Sequence, residues 1–227
     1  MANLEINEVA TRDGLQIERD FVPTGDKIAL IDALSATGLA RIEATSFVSP
    51  KAIPQMRDAA EVIRGIQRRP GMAITALVPN VKGVERALAC GVDEINLVMS
   101  ASRSHGLANL HMTPEQSLEQ FAAIVRVVRD HPHGQAVFIN ASLSTSFGCP
   151  FEGRVAESHV LALAEQLLAL GVQGVTLCDT TGMANPVQVG RLCEAALARL
   201  AKAPLTLHFH NTRGMGLANA LAAWQAG

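Results

Sequence analysis

The sequence contains no tyrosine, and aromatic residues make up only 4% of its 227 residues. Proteins that stack single-stranded nucleic acid need aromatic side chains, so this scarcity argues against such a platform. Hydrophobic residues nevertheless reach 48%, and a core built from them must be mostly aliphatic. Such a core suits a barrel that is filled by branched side chains.

The sequence also lacks a charge excess and a long apolar run. Its 19 Lys and Arg against 21 Asp and Glu form no basic block, so nothing indicates a nucleic-acid footprint. No run of about 18 apolar residues predicts a membrane span, and Met1 to Glu5 lacks the pattern of a signal peptide. The four cysteines show no CxxC or CxxH spacing, so we expect no disulfide framework, no structural zinc site and a reducing cytoplasm.

Short apolar runs alternate with helical patterns along the chain. The helix candidates Gln116–Arg129 and Val155–Leu170 carry apolar residues at the 3.6-residue period. Gly38, Gly91 and Gly171 each stand between a helix candidate and a strand candidate, as helix C-caps do in repeated αβ connections. The strand candidates are Leu4–Ala10, Ala40–Phe47, Ala73–Pro79, Glu94–Ser100, Ala136–Ser144, Gly174–Thr180 and Leu205–Asn211.

This alternation predicts a parallel sheet, either open or closed into a barrel. The sequence has neither a GxGxxG after its first strand nor a GxxxxGK[ST], which weakens the open nucleotide-binding sheets. Repeats of roughly 30–35 residues favour a TIM (β/α)8 barrel, and we predict one barrel domain over residues 1–227. Closure needs an eighth strand. Because the sequence stops just after the helix pattern Leu217–Ala226, we expect the eighth unit to be missing from it.

Polar residues cluster where the predicted strands end, which is where barrels carry their chemistry. His208 and His210, at i and i+2 on a strand, point to the same side and can bind one divalent cation. Asp13 is the natural third ligand, and a bend at Gly14 would bring it and Arg12 to the barrel mouth. Two hydrogen-bonded histidines and a solvated Asp-Gly turn are the structural alternatives.

Two carboxylates in or at the end of predicted strands are further candidates for catalysis. Glu43 lies in the second strand with Arg41 and Thr45 on its face, so it is either catalytic or part of a structural ion pair. Asp179 ends the sixth strand and is either catalytic or the cap of the following turn at Thr180.

Other polar residues have simpler interpretations. Cys149 is interpreted as a turn cysteine. Asn80 and Lys82 follow the third strand and could contact a ligand phosphate, although a helix-start Asn and a solvated Lys explain them equally well. The remaining histidines are interpreted as surface or capping residues. They are His105, His111, His131, His133 and His159.

Several segments together resemble the 3-hydroxy-3-methylglutaryl-CoA (HMG-CoA) lyases, within a larger group of metal-dependent barrel lyases and acyl-transferring synthases. Arg12–Gly14 and the His-x-His pair are shared by both branches, whereas Ser46–Lys51 and Gly148–Gly153 look like the lyase branch. The matching segments are Glu8–Gln16, Thr45–Lys51, Pro79–Gly83, Gly148–Gly153, Asp179–Gly182 and His208–Asn219.

The resemblance implies a carbon–carbon lyase that cleaves HMG-CoA to acetyl-CoA and acetoacetate by a retro-Claisen reaction. It implies a divalent cation, Mg²⁺ or Mn²⁺, on Asp13, His208 and His210. The implied catalytic residues are Arg12, Glu43, Asp179 and His208. Arg12 would contact the thioester, and the base would be Asp179 or His208. The expected partner is a small acyl-CoA, without nucleic acid or membrane, and a homo-oligomer is left open.

The chain also departs from the lyase pattern. Asn211 stands where such lyases usually carry Asp, as it does in many synthases. The resemblance places a catalytic cysteine and a further Asn ligand past Gly227, and Cys149 does not match that cysteine, so we expect these 227 residues alone to be nearly inactive. The alternatives are a lyase for a related 3-hydroxyacyl-CoA, an acetyl-CoA-dependent 2-oxo acid synthase, and a barrel retained as an interaction subunit.

Overall fold

The computed structural model describes residues 4–200 and 203–227, so part of the segment considered for a signal peptide lies outside the described residues. Strands and helices alternate as the sequence predicts. The strands are β1 Asn7–Glu8, β2 Arg41–Ser46, β3 Ala73–Leu77, β4 Glu94–Ser100, β5 Phe138–Ser144, β6 Gly174–Asp179 and β7 Leu205–Phe209. The helices are α1 Thr24–Ser35, α2 Ala59–Gly65, α3 Val81–Ala89, α4 Arg103–Leu110, α5 Pro114–Asp130, α6 Glu157–Leu170, α7 Pro186–Arg199 and α8 Gly216–Gln225. Over these ranges, no helix is both long and apolar enough to cross a membrane.

The order of the strands in the sheet is their order in the chain, from β1 to β7. The pairs from β1 to β4 and from β5 to β7 are parallel. An open doubly wound sheet reverses its order at a switch point, and the described strands show no such reversal. Parallel strands in chain order with helices between them have the connectivity of a (β/α)8 barrel. The predicted α/β fold class, a TIM barrel, is therefore confirmed, and seven of its strands lie within the described residues.

The chain divides into two compact units. The first comprises residues 5–97 and 126–138, and the second comprises Leu4 and the described residues of 98–125 and 139–227. The single domain over residues 1–227 stays a prediction.

In the first unit, α1 and α2 pack against β2. Ile31, Ile42 and Ile74 are completely buried there, which agrees with the expected aliphatic core. The register matters for the polar residues: Thr75 of β3 pairs with Glu43 on one side and with Glu94 on the other. Three polar residues therefore stand next to one another across neighbouring strands.

In the second unit, α6 packs on β6, and α8 packs on both α7 and β7. Leu143, Leu167 and Val175 are completely buried. Helix α6 matches its predicted range within two residues at its start and ends at the same residue, Leu170. Helix α5 begins two residues before its predicted range and ends one residue after it.

Every described strand except β4 is shorter than predicted, and two of these differences involve candidate site residues. The predicted strand Leu4–Ala10 is reduced to the two residues of β1, because the chain turns into a π-helix over Ala10–Gly14. Strand β7 ends at Phe209, so His210 lies just beyond it. The predicted glycine caps are confirmed at Gly171, the C-cap of α6, and at Gly91, directly after the C-cap of α3, whereas Gly38 lies two residues beyond the C-cap of α1. The φ angles of Gly38, Gly91 and Gly171 are 86°, 71° and 101°, where a residue with a Cβ would be strained.

Candidate active site

Arg12 and Asp13 lie in the π-helical turn that follows β1. The carbonyl of Val9 accepts the amide hydrogens of both residues, at 3.1 and 2.7 Å. This tight turn lets Nη1 of Arg12 donate to Oδ1 of Asp13 at 2.7 Å. The expected bend at Gly14 is thus helical, and a Cβ there would meet only Ala10 at 3.8 Å, so the turn does not require glycine.

Glu43 is the partner of Arg12 in the first unit. Its Oε2 accepts Nε and Nη2 of Arg12 at 3.0 and 2.8 Å, and its Oε1 accepts Nδ2 of Asn96 at 2.9 Å. The exposed fraction of Glu43 is 2% and that of Arg12 is 8%. A buried carboxylate with a charged partner and a further donor avoids the cost of an unpaired charge. Sequence reasoning missed Asn96, which stands at the third position of a well predicted strand.

Arg41 does not pair with Glu43. Its Nη1 lies 3.3 Å from Oε2 of Glu94 on β4, two strands away. Burial raises the pKa of Glu94 to about 7, while Arg41 lowers it and the nearby Glu43 raises it further. The protonated form of Glu94 is therefore favoured over a wider range of pH than that of an ordinary carboxyl group. The sequence does not reveal this pairing, because it depends on register between strands.

His208 and His210 lie side by side at the end of β7 in the second unit. Their Nε2 atoms are 3.1 Å apart, and both residues are half-buried. The backbone amide of His210 donates to the carbonyl of Asp179 at 3.3 Å, which ties the end of β7 to the end of β6. The two rings thus present one nitrogen each to the same region.

Asp179 holds the loop that follows β6. Its carboxylate accepts the backbone amides of Met183 at 2.7 Å and Ala184 at 3.1 Å, and its exposed fraction is 1%. Arg213 adds bonds from Nη1 to the carbonyls of Thr181 and Gly182. The capping alternative for Asp179 therefore describes its contacts well, and a catalytic role remains a proposal.

The loop also needs a glycine at position 182. Gly182 has a φ of 64°, and a Cβ built there would lie 2.9 Å from Cβ of Thr212 and 3.0 Å from its backbone nitrogen. Both the left-handed backbone and the close approach of the next loop exclude a larger residue.

Asn211 has a structural role at the start of α8. Its Oδ1 accepts the backbone amide of Gly216 at 2.9 Å. An aspartate carboxylate could accept the same bond, because both side chains offer an oxygen at that position. The presence of Asn rather than Asp at position 211 is therefore a weak guide to whether the chain follows the lyase or the synthase pattern.

Cys149 and His105 are more buried than their interpretations suggest. The Cys149 thiol is fully buried in its turn, 3.0 Å from Oγ of Ser102, and it accepts the amide of Glu152 at 3.4 Å. The prediction that His105 is a surface or capping residue is wrong. Its Nδ1 lies 3.1 Å from Oγ of Ser100, and burial lowers its pKa.

Two simpler interpretations agree with the structure. Asn80 caps α3 by accepting the amide of Gly83 at 3.0 Å. His111 occupies the left-handed C-cap position of α4, with a φ of 56°.

Comparison with known proteins identifies the family. The HMGL-like family model matches residues 3–227. A hydroxymethylglutaryl-CoA lyase of Bacillus subtilis is 45% identical over 98% of this chain and 73% of its own length. An (R)-citramalyl-CoA lyase of Chloroflexus aurantiacus is 40% identical over 100% of this chain and 74% of its own length.

A solved structure agrees with both sequence comparisons. An HMG-CoA lyase from Acinetobacter baumannii, in complex with coenzyme A and 3-methylmalate, is 50% identical, with a TM-score of 0.93. The match covers 99% of this chain and 72% of that chain. The resemblance that the motifs carried is thereby confirmed, and the chain belongs to the HMGL-like family.

Proposed function

We propose that this protein is a divalent-metal-dependent carbon–carbon lyase that cleaves HMG-CoA to acetyl-CoA and acetoacetate. The observation that carries the proposal is 45% identity to the Bacillus subtilis hydroxymethylglutaryl-CoA lyase over 98% of the chain. The polar clusters support it, since they supply a buried arginine, carboxylates and paired imidazoles.

Asp13, His208 and His210 are proposed as the cation ligands. They offer one carboxylate oxygen and two imidazole nitrogens, a donor set that suits Mg²⁺ or Mn²⁺ with remaining water positions. The histidine pair fits this role, because two neighbouring ligands of an octahedral ion at about 2.1 Å lie about 3.0 Å apart. The Nε2 atoms of His208 and His210 are separated by 3.1 Å. A bound cation would lower the pKa of a coordinated hydroxyl and orient the substrate.

The reaction divides into a proton transfer and a bond cleavage. A base takes the proton of the C3 hydroxyl, and the bond between C2 and C3 breaks. C3, its methyl group and the carbons beyond it leave as acetoacetate, whose ketone is formed from the C3 hydroxyl. The electron pair of the broken bond passes to the thioester enolate, which takes up a proton to give acetyl-CoA. Arg12 would stabilise the negative charge on the thioester oxygen, and Glu43 would hold Arg12. The base remains either Asp179 or His208.

A related substrate is the second candidate. The (R)-citramalyl-CoA lyase of Chloroflexus aurantiacus is 40% identical over the whole chain, close to the value for the lyase of Bacillus subtilis. Citramalyl-CoA also carries a tertiary hydroxyl β to the thioester, so the same cleavage would give acetyl-CoA and pyruvate. The keto acid that is released therefore distinguishes the two substrates.

The protein expressed from its intact reading frame, as in every assay proposed below, should release acetoacetate from HMG-CoA with Mn²⁺. Its rate with citramalyl-CoA, followed by pyruvate release, should be lower, and acetyl-CoA with a panel of 2-oxo acids should give no free CoA. Faster pyruvate release would assign the second substrate. CoA release from acetyl-CoA and a 2-oxo acid, without cleavage of either thioester, would instead assign a synthase.

His208→Ala should weaken Mn²⁺ binding at least about tenfold, because it removes one of the proposed ligands. Calorimetric titration of the metal-free protein measures this directly, without substrate. His133→Ala is the matched control, since His133 is exposed and is not a proposed ligand. Equal Mn²⁺ affinity of the His208 variant and the wild type would contradict the proposed ligand set.

We also propose a cytoplasmic location. All four cysteines lie within the described residues and are thiols rather than disulfides there, as is usual in a reducing compartment. A homo-oligomer stays a prediction.

A further inference from the structure

Glu43 uses its two carboxylate oxygens for different partners. Oε2 accepts two hydrogens from Arg12, at 3.0 and 2.8 Å, whereas Oε1 accepts one from Asn96 at 2.9 Å. The exposed fractions of Arg12, Glu43 and Asn96 are 8%, 2% and 8%. Because water has little access to these groups, the hydrogen bonds among them set the geometry.

The arrangement differs from the common pairing of arginine with a carboxylate. A guanidinium fork frequently gives one N–H to each carboxylate oxygen, in two parallel bonds. Here Nε and Nη2 of Arg12 both converge on Oε2, while Asn96 occupies the other oxygen. With the fork in this position, the remaining nitrogen, Nη1, reaches Oδ1 of Asp13 at 2.7 Å.

We propose that Asn96 is a positioning residue of the active site. By occupying Oε1 of Glu43, it selects the orientation in which Glu43 holds Arg12, and so the direction in which Nη1 points. Asn96 acts through Glu43 and does not need to touch the substrate. The kinetic part of this inference rests on the proposed lyase function, whereas the orientation of Arg12 can be measured without it.

A positioning role and a purely structural role predict different effects of replacing Asn96. If the amide only satisfied a buried acceptor, its removal would leave Oε1 without a donor, and stability would fall. If the amide selects an orientation, Arg12 can turn and give one N–H to each oxygen once the amide is gone. Glu43 then stays paired with Arg12, and the main change is the direction in which Nη1 of Arg12 points.

The test compares substitutions at two buried positions, and each substitution keeps the approximate size of the original side chain. Asn96→Leu removes the donor but keeps a side chain of similar shape. Thr75→Val is the matched control. Thr75 is 1% exposed, pairs in register with Glu43, and its hydroxyl has no hydrogen-bond partner within the described part of the chain.

For each variant, kcat and KM are measured with Mn²⁺ and HMG-CoA, or with citramalyl-CoA if the wild type prefers it. The ¹⁵N-resolved NMR signal of the Arg12 Nε–H is measured without substrate, and circular dichroism verifies folding.

We expect Asn96→Leu to lower kcat about ten- to a hundredfold and to leave KM within about twofold, because the loss is in transition-state stabilisation. The Arg12 Nε–H signal should shift in Asn96→Leu and stay in place in Thr75→Val, whose kinetics should match the wild type. The proposal would be overturned by an unshifted Arg12 Nε–H signal or an unchanged kcat in Asn96→Leu. An equal loss of kcat in Thr75→Val would also overturn it. If Asn96→Leu fails to fold, Asn96→Ser, which shortens the donor, takes its place under the same criteria. A wild type that cleaves no thioester would refute the proposed function, and the NMR signal would still decide the role of Asn96.

Discussion

Arg12→Lys is expected to lower kcat by about 10²–10³-fold, the loss typical of removing one preorganised donor from a developing oxyanion. Three nitrogens of Arg12 are engaged, two with Glu43 and one with Asp13. A lysine ammonium is a single centre and cannot reproduce this fork, although it keeps the charge. Steady-state kinetics with HMG-CoA and saturating Mn²⁺ measure the effect.

Arg41→Lys is the control for this experiment. Arg41 also pairs with a buried glutamate, since its Nη1 lies 3.3 Å from Glu94, but it has no proposed contact with substrate. Its replacement should change kcat by no more than about threefold, because a lysine can keep a single ion-pair contact. An Arg12→Lys variant that retained about a tenth or more of the activity would contradict the oxyanion role. A loss of that size is on the order of what an exposed charge contributes.

Lys27→Met is expected to lower the free energy of unfolding by about 3–5 kcal/mol, because it leaves a buried carboxylate without its cation. Lys27 donates to Oδ1 of Asp58 at 2.7 Å and to the carbonyl of Gln55 at 2.6 Å. The exposed fractions of Lys27 and Asp58 are 3% and 6%. Within the described part of the chain, only the Thr24 hydroxyl, at 2.8 Å, would still donate to the carboxylate of Asp58. Urea unfolding followed by circular dichroism measures the change.

The double variant Lys27→Met with Asp58→Leu separates the lost ion pair from lost packing. It should recover much of the stability, because a buried ion pair is often replaced by apolar residues at little cost. A single Lys27→Met variant that loses less than about 1 kcal/mol would show that Asp58 tolerates isolation, against this account. The loss expected would be a large share of a typical total stability of about 5–15 kcal/mol.

The sequence was sufficient for most elements and for the family. Strand β4 has the same ends in the prediction and in the structure, Glu94–Ser100. Apolar periodicity and glycine caps are interactions among close neighbours, so they can be read from one segment at a time. The lyase-like segments Ser46–Lys51 and Gly148–Gly153 indicated the family that comparison confirmed.

The errors concern groups whose surroundings come from distant segments. His105 was expected to be a surface or capping residue and is buried, with its ring centroid 6.4 Å from that of Phe151 in a later loop. An ion pair between Arg41 and Glu43 was the structural alternative, and Arg41 pairs with Glu94 instead. An irregularity of register in β2, between Glu43 and Thr45, interrupts the simple alternation that was expected to place Thr45 on the face of Glu43.

By itself, the sequence determined the alternation of strands and helices, the α/β barrel class and the residue types that the proposed chemistry needs. The tertiary structure alone decided which of those residues meet. Arg12 and Glu43 are 31 positions apart, and Glu43 and Asn96 are 53 apart, yet they form one buried network. Periodicity reflects contacts within one element, whereas these bonds depend on strand register and on the π-helical turn after β1, which the packing of many segments sets together.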